Sequence, residues 1–166
     1  IPIGGTSADT STVLLATNPT CCPGNIASAA VTGATATCTA SRVATVPAAN
    51  QPWLYRIRSI IGRGVVVTGG SDSPIVDADP LTGIYAAVTR RVQSGQIILP
   101  EEAIAPEAAL SLYTTNAAYA SFEEKTKGKI APGMLADMAV LSTDPLASPP
   151  EALKDIRVEM TIIDGR

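Results

Sequence analysis

The sequence predicts an α/β fold, and three observations carry that prediction. Gly64-Val65-Val66-Val67-Thr68 is a short continuous apolar run, the pattern of a parallel strand buried on both faces. A helix follows it, opened by Asp79-Pro80 and carrying Leu81, Ile84, Tyr85, Val88 and Val92 on one face. Near the end of the chain, Arg157 to Ile163 alternates, with Val158, Met160 and Ile162 on one side of a strand.

The remaining elements follow in order. Leu54 to Gly62 reads as a helix ended by its glycine. Asp79 is the N-cap of the next helix, with Pro80 at its first position, and Arg90 and Arg91 near its C-terminal end. That arginine pair is expected to be solvated or to offset the helix dipole. Glu101–Ala109 and Leu110–Tyr119 read as one or two helices, with Pro106 marking a start. Lys127 to Gly133 is rich in turn formers, Asp137 to Leu141 is a strand, and Asp144-Pro145 to Pro149-Pro150 is a loop. Asp164-Gly165 is a two-residue hairpin turn with one residue after it. That turn and a chain that starts at Ile1 are read as marks of truncation.

Composition sets the outer limits. The 166 residues make one domain's length, and 46% hydrophobic against 16% charged residues is enough to build a core. A net charge of −3 with no basic stripe speaks against a nucleic-acid partner. No apolar run is long enough for a membrane span, and no basic segment precedes an apolar one as in a signal peptide. Cys21, Cys22 and Cys38 are odd in number, so they cannot pair completely within one chain. Three thiols are the plainer reading, with one bridge from Cys38 to Cys21 or Cys22 as the alternative. Thiols and the lack of a signal lean towards a cytoplasmic protein. The sequence contains no histidine, so the usual neutral-pH base and the commonest metal ligand are missing from it.

The chain divides into three parts. Residues 1–52 form an irregular Ala/Thr/Ser-rich segment whose role the sequence does not disclose, with Asp9 and Arg42 the only charges up to residue 50. Residues 53–126 hold the apolar strand and the helices after it, and residues 127–166 hold the later strands.

The residues that carry chemistry stand at the end of the apolar strand, in Gly69-Gly70-Ser71-Asp72-Ser73-Pro74. The glycines let other groups approach closely. In a β/α barrel the C-terminal ends of the strands form the active site. A carboxylate there can bind a divalent metal or take a proton from the attacking water. The plain structural alternative is that Asp72 caps a turn, for which Ser-Asp-Ser-Pro is good chemistry. A metal-free hydrolase built on Ser71 or Ser73 has no base beside it and no Gly-x-Ser-x-Gly.

The run from Gly69 to Pro74, with Asp79-Pro80-Leu81 and Ala87-Val88-Thr89-Arg90-Arg91, resembles the last barrel strand and following helix of the amidohydrolase superfamily. The similarity is greatest to the branch that includes N-substituted formamide deformylase. Tyr113 to Tyr119 resembles the helix that brings the chain back from the barrel, and Gly128 to Asp137 resembles the family's Gly-x-Ile-x-Pro-Gly-x-x-Ala-Asp signature. Asp144-Pro145-Leu146 and Val158 to Arg166 fit as well, so the resemblance covers about two-thirds of the chain, Trp53 to Arg166.

The resemblance implies the C-terminal portion of a (β/α)8 barrel plus strands of a small β-sandwich domain. It makes Asp72 the catalytic carboxylate and metal ligand, and gives Asp137 a structural role near a turn. The complete enzyme would bind a divalent metal, zinc by expectation, and a small-molecule substrate with an amide or other C–N bond. This chain departs from the pattern, because the family's histidine ligands are not in it. A catalytic zinc takes about three protein ligands and a single-chain barrel about 250 residues. The chain alone is therefore expected to hold no metal and to be inactive as a hydrolase. The competing expectation is a non-catalytic module that associates with itself or with a missing partner chain, since a half-barrel exposes strand edges and apolar surface.

Overall fold

The computed structural model describes residues 46–73, 77–92 and 95–166, together with the backbone of the strand at residues 13–16. Cys21, Cys22, Cys38 and Pro74 lie outside the described residues.

Eight regular elements are described: β1 (Val13–Ala16), α1 (Ile57–Ile61), β2 (Val67–Gly70), α2 (Pro80–Thr89), α3 (Pro106–Ser111), α4 (Thr115–Ala120), β3 (Met138–Leu141) and β4 (Val158–Ile162). β1 and β2 are parallel, with Val13 opposite Val67 and Ala16 opposite Gly70. β3 and β4 form an antiparallel ribbon, with Met138 opposite Ile162 and a register shift after Val140. A parallel pair with helices against it, followed by an antiparallel ribbon, makes the fold α/β.

The strand expected at 64–68 lies further along, at Val67–Gly70, because Gly64 takes a left-handed φ of 80° and turns the chain after α1. The helix expected over Leu54–Gly62 is shorter, since Tyr55 also has a positive φ, 49°. α2 begins as its sequence dictates. The Asp79 carboxylate accepts from the Leu81 N–H at 3.0 Å, and Pro80 stands where a helix has no use for an N–H.

α2 ends earlier than its apolar spacing suggests. Arg90 adopts φ 56°, so Val92 falls outside the helix, and the buried face is Leu81, Ile84 and Ala87 with Tyr85 and Val88 at its margin. The core joins this face to Ile57, Val67, Ile104, Ala109 and Leu112. It also takes in Leu153, from a 3-10 helix at Pro150–Asp155 that begins where the expected loop ends, and Ile156 just after it.

The expectation of a solvated arginine pair fails for Arg90. It is 6% exposed, and its Nε donates to the Ile98 carbonyl at 3.0 Å. A second guanidinium nitrogen reaches the Leu54 carbonyl at 3.5 Å. Burial pushes its pKa down, while Glu102, Tyr55 and Glu101 oppose that shift. Arg91 stays on the surface and pairs with Glu151 at 2.9 Å.

The other buried charge among the described residues, Glu102, ties the 3-10 turn at Pro100–Glu102 to α1. It accepts from the Ser59 N–H at 2.8 Å, from the Ser59 hydroxyl, and from Arg56 Nε at 3.3 Å. Burial raises the Glu102 carboxyl, but the hydrogen bonds from Ser59 and Arg56 outweigh it and leave the pKa below the ordinary value. A depressed carboxylate stabilises the fold above its unfolded pKa of about 4.3, and that contribution fades as pH falls through the lower folded value. Glu102→Gln is expected to cost about 1–3 kcal/mol at neutral pH. Urea unfolding of both proteins from pH 7 down to pH 3 checks this, and the gap between them should narrow towards the acid end.

Candidate functional site

β2 is a strand of two faces, and its residue types sort between them. Val67 belongs to the core beneath the helices. Gly69, two residues on, faces the same way. A Cβ there would meet the Tyr113 ring, with Cζ at 2.4 Å and Cε2 at 2.6 Å. Only glycine admits that contact, which is the close approach expected of the glycine pair. Thr68 and Gly70 face the other way. Thr68 is buried, and among the described residues its hydroxyl has no hydrogen-bond partner. A Cβ added to Gly70 would meet no described atom within 4 Å.

Just beyond the C-terminal end of β2, the chain reaches Asp72. It is exposed and has a left-handed φ of 53°. Aspartate tolerates this conformation better than most residues, yet it still costs about 1 kcal/mol or more. Its carboxylate makes no hydrogen bond or ion pair with the described residues. The capping alternative has a chemical obstacle, because an Asx turn uses the N–H two residues on, and Pro74 has none.

Three other aspartates at turn sequences behave differently. Asp79 caps α2, Asp144 accepts from the Leu146 N–H at 2.8 Å, and Asp137 accepts from the Asp164 N–H at 2.9 Å. The Asp137 bond fits the structural role near a turn. Ser71 and Ser73 flank Asp72 in sequence, and no base is brought to either among the described hydrogen bonds.

As a metal centre, these residues are incomplete. Asp72 is one carboxylate, and among the described residues no three acidic or cysteine side chains converge. With no histidine among them, the described residues by themselves do not fit a catalytic zinc, which takes about three protein ligands.

Sequence reasoning missed the segment that supports the strand end. Gly69 N–H donates to the Leu112 carbonyl at 3.0 Å, and Asn116 Nδ2 donates to the Val67 carbonyl at 2.8 Å. The signal was present in Gly69, since a glycine inside a strand marks a close neighbour, but nothing local names that neighbour as a tyrosine 44 positions away.

Comparison with known proteins places the chain in a family. The amidohydrolase family model matches residues 26–166, so the match also takes in 26–52, ahead of the part that carries the motifs. The chain belongs to the amidohydrolase family. It is 39% identical to the protein YtcJ of Bacillus subtilis (strain 168) over 112 residues, covering 66% of this chain and 21% of that protein. It is 34% identical to the N-substituted formamide deformylase of Arthrobacter pascens, over 68% of this chain and 21% of the enzyme. The chain thus spans about a fifth of the length of these relatives.

Among solved structures, an uncharacterized metal-dependent hydrolase from Pyrococcus horikoshii OT3 superposes with a TM-score of 0.56 at 29% identity, covering 64% of this chain and 22% of that one. An amidohydrolase from Thermotoga maritima MSB8 superposes at 0.51 and 24% identity, over 66% of this chain and 24% of that one, a likeness of fold alone.

If Asp72 is held for chemistry and not for stability, removing its side chain should not harm the fold. Asp72→Gly is expected to leave the thermal midpoint unchanged or slightly higher, because glycine accepts the positive φ. Asp72→Val is expected to lose about 1–2 kcal/mol, because a β-branched side chain does not. Calorimetry of the two variants beside the parent reads both effects.

Proposed function

We propose that this chain is part of a metal-dependent hydrolase acting on amide or other C–N bonds, to which it contributes the last strand of a (β/α)8 barrel and the catalytic Asp72. One observation carries the reading: an exposed aspartate that caps nothing described stands at the C-terminal end of a parallel strand, in a backbone conformation with a cost. Active sites of barrel enzymes gather at that end of the strands.

In this reading residues 53–126 are the barrel strand and its helices, 127–166 are strands of a β-sandwich, and the role of 1–52 stays open. The face of β2 bearing Thr68 would be the barrel interior, where neighbouring strands could supply the partner its buried hydroxyl needs. A divalent metal, zinc by the family's chemistry, would supply an activated water when bound by ligands outside this chain. Asp72 would bind that metal too, and its Oδ atoms would accept the proton of the attacking water and return it to the leaving nitrogen. N-substituted formamides, named by one relative, are the first substrates to try.

A second reading is a non-catalytic module that pairs with another copy or another chain. It is favoured by the outer face of the β3–β4 ribbon, where Val140 is 42%, Val158 51% and Met160 57% exposed. Among the described residues no helix is long and apolar enough to cross a membrane.

Native mass spectrometry separates the two. A particle containing a histidine-bearing chain and bound divalent metal supports the hydrolase. A metal-free particle made of this chain alone supports the module. In an active assembly, Asp72→Asn is expected to lower kcat by about 10²–10⁴-fold, the usual worth of a positioned acid–base group. Full activity in that variant would remove Asp72 from the mechanism.

A further inference from the structure

We infer that Leu112 and Asn116 act as an edge stopper on β2, taking the hydrogen-bonding positions that an added strand would use. Consecutive residues of a strand turn their N–H and C=O groups to opposite edges. Thr68 and Gly70 therefore face β1, their parallel neighbour. Val67 and Gly69 present their groups to the opposite edge.

In a parallel ladder, one residue of an incoming strand would donate its N–H to the Val67 carbonyl and accept from the Gly69 N–H. Both groups are already engaged. The Asn116 side-chain amide donates to the Val67 carbonyl at 2.8 Å, and the Leu112 carbonyl accepts from the Gly69 N–H at 3.0 Å. The main-chain carbonyl at the end of α3 and a side chain from the first turn of α4 thus imitate one residue of a strand. The Tyr113 ring, seated on Gly69 between them, holds the segment against the sheet.

An unpaired edge invites another extended chain, and covering it with a loop is one way a protein avoids this. The partner denied here is an extended segment in parallel register, a second copy of this chain being the nearest source. The inference does not need the hydrolase reading. If a barrel is completed around β2, this seam is bridged by Asn116 instead of by a ladder at positions 67–69.

The test uses the chain as it stands, with amide hydrogen exchange and sedimentation velocity over a wide dilution series. In the parent protein the Gly69 amide should be protected to the same degree at every concentration, because its acceptor is in the same chain. In Asn116→Ala, that amide should exchange up to about tenfold faster in dilute solution, the worth of about one hydrogen bond. The variant should also associate as concentration rises, with protection returning as a second edge adds.

Asn116→Asp keeps the shape but removes the donor, and should behave in the same way. Variants that stay monomeric with Gly69 protected as in the parent would overturn the inference. So would parent protection that depends on concentration, since the edge would then already be filled by another chain. That last measurement decides the matter even where neither variant folds.

Discussion

Everything near the candidate site depends on one absence of atoms, the missing side chain of Gly69. Tyr113 lies where a Cβ would stand, so the end of α3 and the start of α4 reach the strand closely enough to hydrogen-bond its edge. An alanine at 69 would push that ring outward against a packed interior, and interiors give way poorly. The same glycine therefore governs the packing of Leu112, the engagement of the Val67 carbonyl, and the support of the backbone three residues before Asp72.

The rest of the core is arranged around β2 by groups that need it closed. Arg90 is buried because α2 ends in a left-handed turn that points its guanidinium at two main-chain carbonyls. A buried cation is tolerable there, since carbonyl dipoles replace part of its hydration and Glu102 lies near enough to act on its charge. Glu102 is held in turn by Ser59 and Arg56. These contacts tie α1 and the end of α2 to the turn at 98–102. Their net energies are modest, but removing one partner leaves another buried and unsatisfied.

What the sequence made legible were features with local causes. Asp79-Pro80 specifies a helix start by itself, because the cap and the fixed φ of proline are properties of adjacent residues. Asp164-Gly165 specifies its turn in the same way: both residues have positive φ, 52° and 75°, and Ile163 and Arg166 exchange hydrogen bonds across them. The end of α2 was misread because its apolar spacing continues to Val92, while the helix stops at a non-glycine residue in the left-handed region. The burial of Arg90, Glu102 and Leu153 was not legible, because each depends on partners brought from far along the chain. Asp72 was legible as a candidate from its place after an apolar strand. Its support by Tyr113 and Asn116 was not.

Asp72 stands apart by its surroundings more than by its own geometry. Of the aspartates in turn-forming sequence, Asp79, Asp144 and Asp137 accept main-chain N–H groups, and Asp164 takes its positive φ inside a two-residue turn. An aspartate used in that way repays its desolvation locally. Asp72 has no such partner described, and the proline two residues later removes the donor an Asx turn would need. It is also held at a φ that glycine would occupy at less cost. A residue that satisfies no local demand, in a conformation where another residue would be more stable, is better explained by what it meets than by the fold that carries it. In the proposed hydrolase that explanation acquires a chemistry, with the histidine ligands this chain lacks coming from other residues.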